Sequence, residues 1–273
     1  YTVHDPGKAP YDGRIGGPLI ISNDGVVVGR WDIDDGSGGT VTAQVGSIDG
    51  TINNTVTWQG SGTPKEARPA HGIKFGGAAT DDVNLGDSST LNPGNLTVAF
   101  WAKASGLHNR DVLLSKWNTA TTSDSSYEFG FDSDGSLFFR TRTASGQVFA
   151  GKDVADPFTA TEFNDGNWHH IVGTHDGTTS TLYVDGTLVE GLTNIGTISD
   201  SGGVTDLLLG RRPHATAQAA YDGWIGGSVL IFDRALSGTE VYFLSNPVPE
   251  PSTVTLLTLG LLGLVACRWR RKR

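Results

Sequence analysis

Residues 163–186 read FNDGNWHHIVGTHDGTTSTLYVDG, two runs of alternating side chains, each followed by an Asp-Gly pair. Strand geometry sends successive side chains to opposite faces. Trp168, His170, Val172 and Thr174 therefore share one face of a first strand, and His169, Ile171, Gly173 and His175 the other. In the second strand Leu182 and Val184 oppose Tyr183. Asp176-Gly177 and Asp185-Gly186 supply the turns, because glycine tolerates positive φ and aspartate bonds to its own backbone. This is the pattern of an antiparallel β-sandwich, and the rest of the chain reads as cover for it.

Working outward, residues 127–143 form a second hairpin. A three-residue loop at Ser133-Asp134-Gly135 sets Phe129 and Phe131 against Phe139 and Leu137, keeping apolar with apolar, whereas a two-residue turn would set them with Arg140. The same register places Glu128 opposite Arg140, expected as a solvated surface pair worth at most ~1 kcal/mol. Leu96, Val98 and Phe100 alternate with Thr97, Ala99 and Trp101 in another strand, and Val26–Asp32 opens the series. The segment between Trp58 and Ala70 is polar, with Gly and Pro, and reads as a loop.

The 38 glycines in 273 residues are about twice the usual ~7% share, as many tight turns between short strands require. Amphipathic helical spacing is nearly absent before residue 252. Beyond residue 247 lie one glutamate and five basic residues, which leaves residues 1–247 with 15 basic against 28 acidic side chains, a net charge of −13. Such a body repels nucleic acid and anionic lipid, so nucleic acid is not an expected partner. The single cysteine, Cys267, excludes a disulfide framework.

Two segments flank the sandwich. Tyr11–Ile21 (YDGRIGGPLII) matches Tyr221–Ile231 (YDGWIGGSVLI) at seven of eleven positions, 210 residues apart. That offset is about one domain, so residues 1–25 are expected to be the closing strand of a preceding repeat, followed by one full domain over 26–246. At the other end, Pro249-Glu250-Pro251 sits in a stiff linker, followed by sixteen uncharged, Leu-rich residues (252–267) that read as a short apolar helix. Arg268, Arg270, Arg271, Lys272 and Arg273 then close the chain. Sixteen residues fall just short of the ~17–25 of a membrane span, and the basic cluster places this end in the cytoplasm with the sandwich outside.

The run W-H-H-I-V-G-T-H-D-G…L-Y-V-D-G at 168–186 resembles the laminin-G-like, concanavalin A-like jelly rolls. So do Phe75-Gly76-Gly77…Asp82-Val83-Asn84-Leu85-Gly86-Asp87, Leu96–Trp101, and Phe232-Asp233-Arg234-Ala235-Leu236-Ser237…Glu240. The resemblance implies an all-β fold, a two-sheet antiparallel jelly-roll sandwich. Residues 247–273 are similar to the PEP-CTERM sorting tail of bacteria, which implies processing by an exosortase-type membrane protease. Export to the cell surface or extracellular matrix follows, with transient inner-membrane anchoring.

Enzymes of this fold include glycoside hydrolases, whose carboxylates lie on one strand as E-x-D-x-E or a near variant. Glutamate occurs only at 66, 128, 162, 190, 240 and 250, and no such triplet exists. Adjacent His169 and His170 point to opposite strand faces and cannot share a metal without a bulge, so His170 is expected in or near the core. Relatives by resemblance often hold a structural Ca²⁺, for which Asp34, Asp49 and Asp222 are the carboxylates that would converge with loop carbonyls. Turn aspartates that merely cap loops are the other reading of these residues. Trp58, Trp117, Tyr127 and Trp224 are the aromatics that could stack on a sugar, and Trp224 stands where the repeat carries Arg14. The expected role is non-catalytic binding or adhesion with a glycan ligand. A structural spacer in a tandem array is the alternative, and a polysaccharide-degrading enzyme a more distant one.

Overall fold

A computed structural model gives the fold. It describes residues 26–246 apart from 34, 47, 60–68, 70–71, 105, 107–109, 119–124, 156, 200–204 and 214–219. The repeat remnant at 1–25, Asp34 and the sorting tail at 247–273 lie outside the described residues.

The strands are β1 (Val27–Ile33), β2 (Thr40–Val41), β3 (Ala43–Val45), β4 (Gly50–Asn53), β5 (Thr57–Gln59) and β6 (Gly72–Gly76). There follow β7 (Asp82–Asn84), β8 (Leu96–Ala104), β9 (Val112–Lys116), β10 (Tyr127–Phe131), β11 (Leu137–Thr143) and β12 (Gly146–Ala150). The last are β13 (His169–His175), β14 (Thr179–Val184), β15 (Thr187–Thr193), β16 (Leu208–Leu209) and β17 (Asp222–Phe232). Nine form one sheet, in the order β15-β14-β13-β8-β17-β1-β3, with β6 pairing β17 beside β1 and β5 pairing β6. Eight form the other, β12-β11-β10-β9-β16-β7-β4-β2. Consecutive hairpins build one end of each sheet. Long connections bring β17 back between β8 and β1, which makes the sandwich a jelly roll.

The organising hairpin is β13–β14, as its alternation requires. Ile171 enters the core between the sheets, while His170 and Val172 face outward. Gly173 lies where the sheets approach: a Cβ there would come 2.6 Å from the Phe129 ring and 2.7 Å from Phe139. Those two rings stack at 4.6 Å, and Phe100 meets Phe129 edge-on at 5.2 Å. Burying each such ring contributes roughly 1.5–3 kcal/mol. Asp185 (φ 51°) and Gly186 (φ 81°) both sit in the left-handed region, the conformation a two-residue hairpin turn needs. In the 127–143 hairpin Phe129 pairs with Phe139, Phe131 with Leu137 and Glu128 with Arg140, the register of the three-residue loop.

Two short helices escape apolar periodicity because they are only one or two turns long. They are α1 (Ala160–Phe163) and α2 (Gly238–Ser245). Each opens on a capping box, Thr159 with Glu162 and Ser237 with Glu240, in which side chain and backbone satisfy each other's donors. α2 packs on the outer face of the nine-stranded sheet through Val241 and Leu244, against Ala99, Val172 and Phe232. No described helix is long and apolar enough to cross a membrane.

Candidate functional site

The outer face of the eight-stranded sheet carries charge where a sandwich usually meets water. Glu128 on β10 is fully buried, which corrects the expectation of a solvated pair. Arg212 grips it with two bonds, Nε to Oε2 at 2.6 Å and Nη2 to Oε1 at 2.7 Å. Ser115 on β9 donates to Oε2 at 2.8 Å, and Arg140 on β11 brings Nη2 to 3.1 Å from Oε1. Loops beyond the strand ends supply the cover that sequence distance concealed, since Arg212 lies 84 residues from Glu128. Burial, partly offset by Glu128, pulls the Arg140 guanidinium down to about 10, whereas Glu128 outweighs burial at Arg212 and holds it above its ordinary value. Arg140 lies flat on Trp117, 3.5 Å from the ring centroid. Its Nε and Nη2 are buried without a hydrogen-bond partner. A neighbouring pair repeats the theme: Arg211 Nε donates to buried Asp82, which also accepts from Asn53.

Two of the four expected ligand aromatics therefore belong to the interior. Trp117 is 2% exposed and capped by Arg140. Tyr127 is fully buried, its hydroxyl donating to the Leu91 carbonyl at 2.9 Å, with burial raising its pKa far above the usual phenol range. Trp58 packs its ring against the core and gives its indole N–H to the Gly38 carbonyl.

Trp224 differs. It is half-buried on β17, and strand pairing sets it in one outward row with Lys74 on β6, Thr57 on β5 and Lys103 on β8. Its neighbour Ile225 points into the core, so Trp224 points out. Lys74 Nζ stands 4.2 Å and Lys103 Nζ 5.4 Å from the indole centroid, and the indole N–H makes a long bond (3.4 Å) to Gln59. In the next outward row lie Gly72, Gly226, Trp101 and His170. The edge of Trp168 covers Gly72, and Trp101 packs on His170 at 4.8 Å. Three tryptophans thus border this face. Trp101 and Lys103 were legible as residues two apart on one strand; Lys74 and Trp168 reach the face only through pairing across the sheet.

The histidines divide as their strand predicts. His169 points inward between Asp185 (2.8 Å) and Asp165 (3.2 Å); burial opposes its protonation, but the two carboxylates outweigh it and raise its pKa. His170 is buried beneath α2, bonded to Ser245 Oγ at 2.6 Å, and burial pushes it down to about 4.

Of the three calcium candidates, the two described ones, Asp49 and Asp222, stand apart. Asp49 accepts from the Ala43 N–H at 2.8 Å and acts as a loop cap, while Asp222 pairs with Lys74. Ala43 lies opposite Trp31, which lies opposite Val229, seven residues along β17 from Asp222. At about 3.3 Å per residue that is roughly 20 Å, too far for one ion. Asp34 is outside the described residues, and among those described no three His, Cys, Asp or Glu side chains gather as a metal site.

Comparison with known proteins agrees with this architecture. Residues 247–272 match the PEP-CTERM protein-sorting motif, which marks the protein for export through a sorting system. No curated protein sequence matches the chain. Among solved structures, domain 4 of AbnA, a GH43 extracellular arabinanase from Geobacillus stearothermophilus in complex with arabinotriose, aligns at 15% identity and TM-score 0.59, covering 81% of this chain and 98% of that one. The binding domain of Paraclostridial Mosquitocidal Protein 1 aligns at 15% identity and TM-score 0.59, with 81% of this chain and 52% of that one covered. Trypanosoma rangeli sialidase in complex with sialic acid aligns at 14% and 0.54, with 81% and 32% covered. The chain thus spans about half, or a third, of the latter two, and at such identities the likeness is one of fold. Residues 75–242, more than half of the sequence, match the Laminin_G_3 family, and the chain belongs to this concanavalin A-like lectin/glucanases superfamily.

Proposed function

We propose that this is a non-catalytic glycan-recognition module of an exported protein, and that the glycan lies on the outer face of the nine-stranded sheet across Trp224. The observation that carries this reading is the half-buried indole on the outer face with a lysine on each neighbouring strand and Gln59 at its N–H. Aromatic rings offer sugars a flat apolar platform with polar groups at its rim. The sugars named with the arabinanase domain and the sialidase are compatible with such a role. A fold shared with them does not by itself assign a ligand.

Support for a non-catalytic role comes from Glu128. Both of its oxygens are engaged, by two bonds from Arg212 and one from the Ser115 hydroxyl, which supports a charge-pairing role over proton transfer at a glycosidic bond. The sorting tail supports delivery to the cell surface or matrix: an exosortase-type protease acts near Pro249-Glu250-Pro251 while residues 252–267 hold the chain in the inner membrane. The basic residues 268–273 then face the cytoplasm.

Retardation of the whole chain in native gels containing a panel of bacterial and algal polysaccharides tests the reading. At least one polysaccharide should retard the protein, and Trp224→Ala should abolish the effect while Trp224→Phe keeps part of it. If the entire panel leaves mobility unchanged, the spacer role takes its place.

A further inference from the structure

We infer that the Trp224 face selects a polysaccharide bearing carboxylate or sulfate groups, an inference that rests on the glycan-binding reading above. A neutral sugar needs a ring to stack on and hydrogen-bonding groups of both kinds. On this face each strand beside the indole carries an ammonium, a group with three donors and no acceptor, next to the acceptors of Thr57, Gln59 and the Lys74-paired Asp222. Lys74 and Lys103 stand on the two strands that neighbour Trp224, so their backbones are about 10 Å apart and their head groups bracket whatever lies on the ring.

The two lysines are not equivalent. Lys74 is already paired with Asp222, and Lys103 makes no ion pair with any described residue. Among the described residues, Lys103 is therefore the cation of this face that no carboxylate pairs. It is also set in a body that carries −13 over residues 1–247, where an acidic polymer would be repelled almost anywhere else. A positive spot beside an aromatic platform, within an acidic protein, has the charge pattern that docks an anionic chain in one place and one register. The anion gains a charge-assisted hydrogen bond from Lys103 and a Coulombic contribution from Lys74.

The test compares charged and neutral partners of one backbone type. The whole chain is run in gels containing polygalacturonate or its fully methyl-esterified form, and a sulfated galactan or neutral agarose, at low and high salt. The expected result is retardation by polygalacturonate, by the sulfated galactan or by both, but by neither neutral partner. Retardation should fall with salt, weaken roughly 3- to 10-fold in Lys103→Gln, and persist in Lys103→Arg. Whichever charged polymer works identifies the anion. Equal retardation by charged and neutral partners overturns the inference and leaves the glycan reading standing. Retardation by no polymer overturns both. Retardation by charged polymers that is unchanged in Lys103→Gln and Trp224→Ala removes the assignment to this face. Lys103 is partly exposed, so the variants should fold, and matching melting curves verify it.

Discussion

The outer faces of the two sheets use the same residue types to opposite ends. On the eight-stranded sheet an aromatic and its cation, Trp117 and Arg140, are closed over a buried glutamate. On the nine-stranded sheet Trp224 and its lysines stay within reach of solvent. A cation on an aromatic ring is thus no sign of function by itself. What separates the two is whether the charges are already spent on partners within the fold: Glu128 binds up both arginines, while no described carboxylate pairs with Lys103.

The contrast predicts where substitutions act on stability and where on binding. Glu128→Ala should have the largest effect, a loss of about 3 kcal/mol, because it leaves the partly buried Arg212 and Arg140 without their shared carboxylate. Denaturant unfolding of the variant checks this. A loss under 1 kcal/mol would mean that this face is open like the other.

Next comes a pH effect confined to the nine-stranded sheet. The folded state holds His170 near pKa 4, whereas the unfolded chain protonates it near 6.5. Its contribution is therefore complete above pH 6.5 and declines as pH falls toward 4, by about 3 kcal/mol in all. His169, raised in the fold, works the other way, adding stability below 6.5 that is lost as pH rises through its folded pKa. Melting temperatures of His170→Gln between pH 4 and 7 should lack the acid loss seen in the parent. An identical pH profile would place that titration elsewhere.

Ser237→Ala removes the cap of α2, the helix that covers the other half of this face, and should cost about 1 kcal/mol without changing glycan retardation. Smallest in stability is Trp224→Ala, expected within about 1 kcal/mol of the parent by the same unfolding assay, since its ring is only half-buried. A large loss there would make Trp224 a packing residue and bring the two faces back to one description.

Most of the sandwich was legible because strand alternation and hairpin register are local. The Glu128–Arg140 pairing and the two faces of His169 and His170 follow from period-two patterning once the turns are placed, whereas the contact of Gly173 with two phenylalanines of the other sheet does not. The capping boxes of α1 and α2 were written as T-x-x-E and S-x-x-E, too short for periodicity but readable as caps. The site was less legible. Trp117, Tyr127 and Trp224 look alike in sequence, and nothing local distinguishes a tryptophan lying under an arginine from one standing between lysines.

By itself, the sequence determined the all-β class, the hairpins and their registers, the sorting tail and the absence of a paired-carboxylate motif, because each depends on spacings within a few residues. Only the tertiary structure decided which charges are buried and which carboxylates meet. Arg212 reaches Glu128 across 84 residues, Lys74 reaches Asp222 across 148, and Asp49 and Asp222 part to opposite ends of a strand pairing. Burial and long-range charge pairing are properties of strands laid side by side, and no local spacing encodes that order.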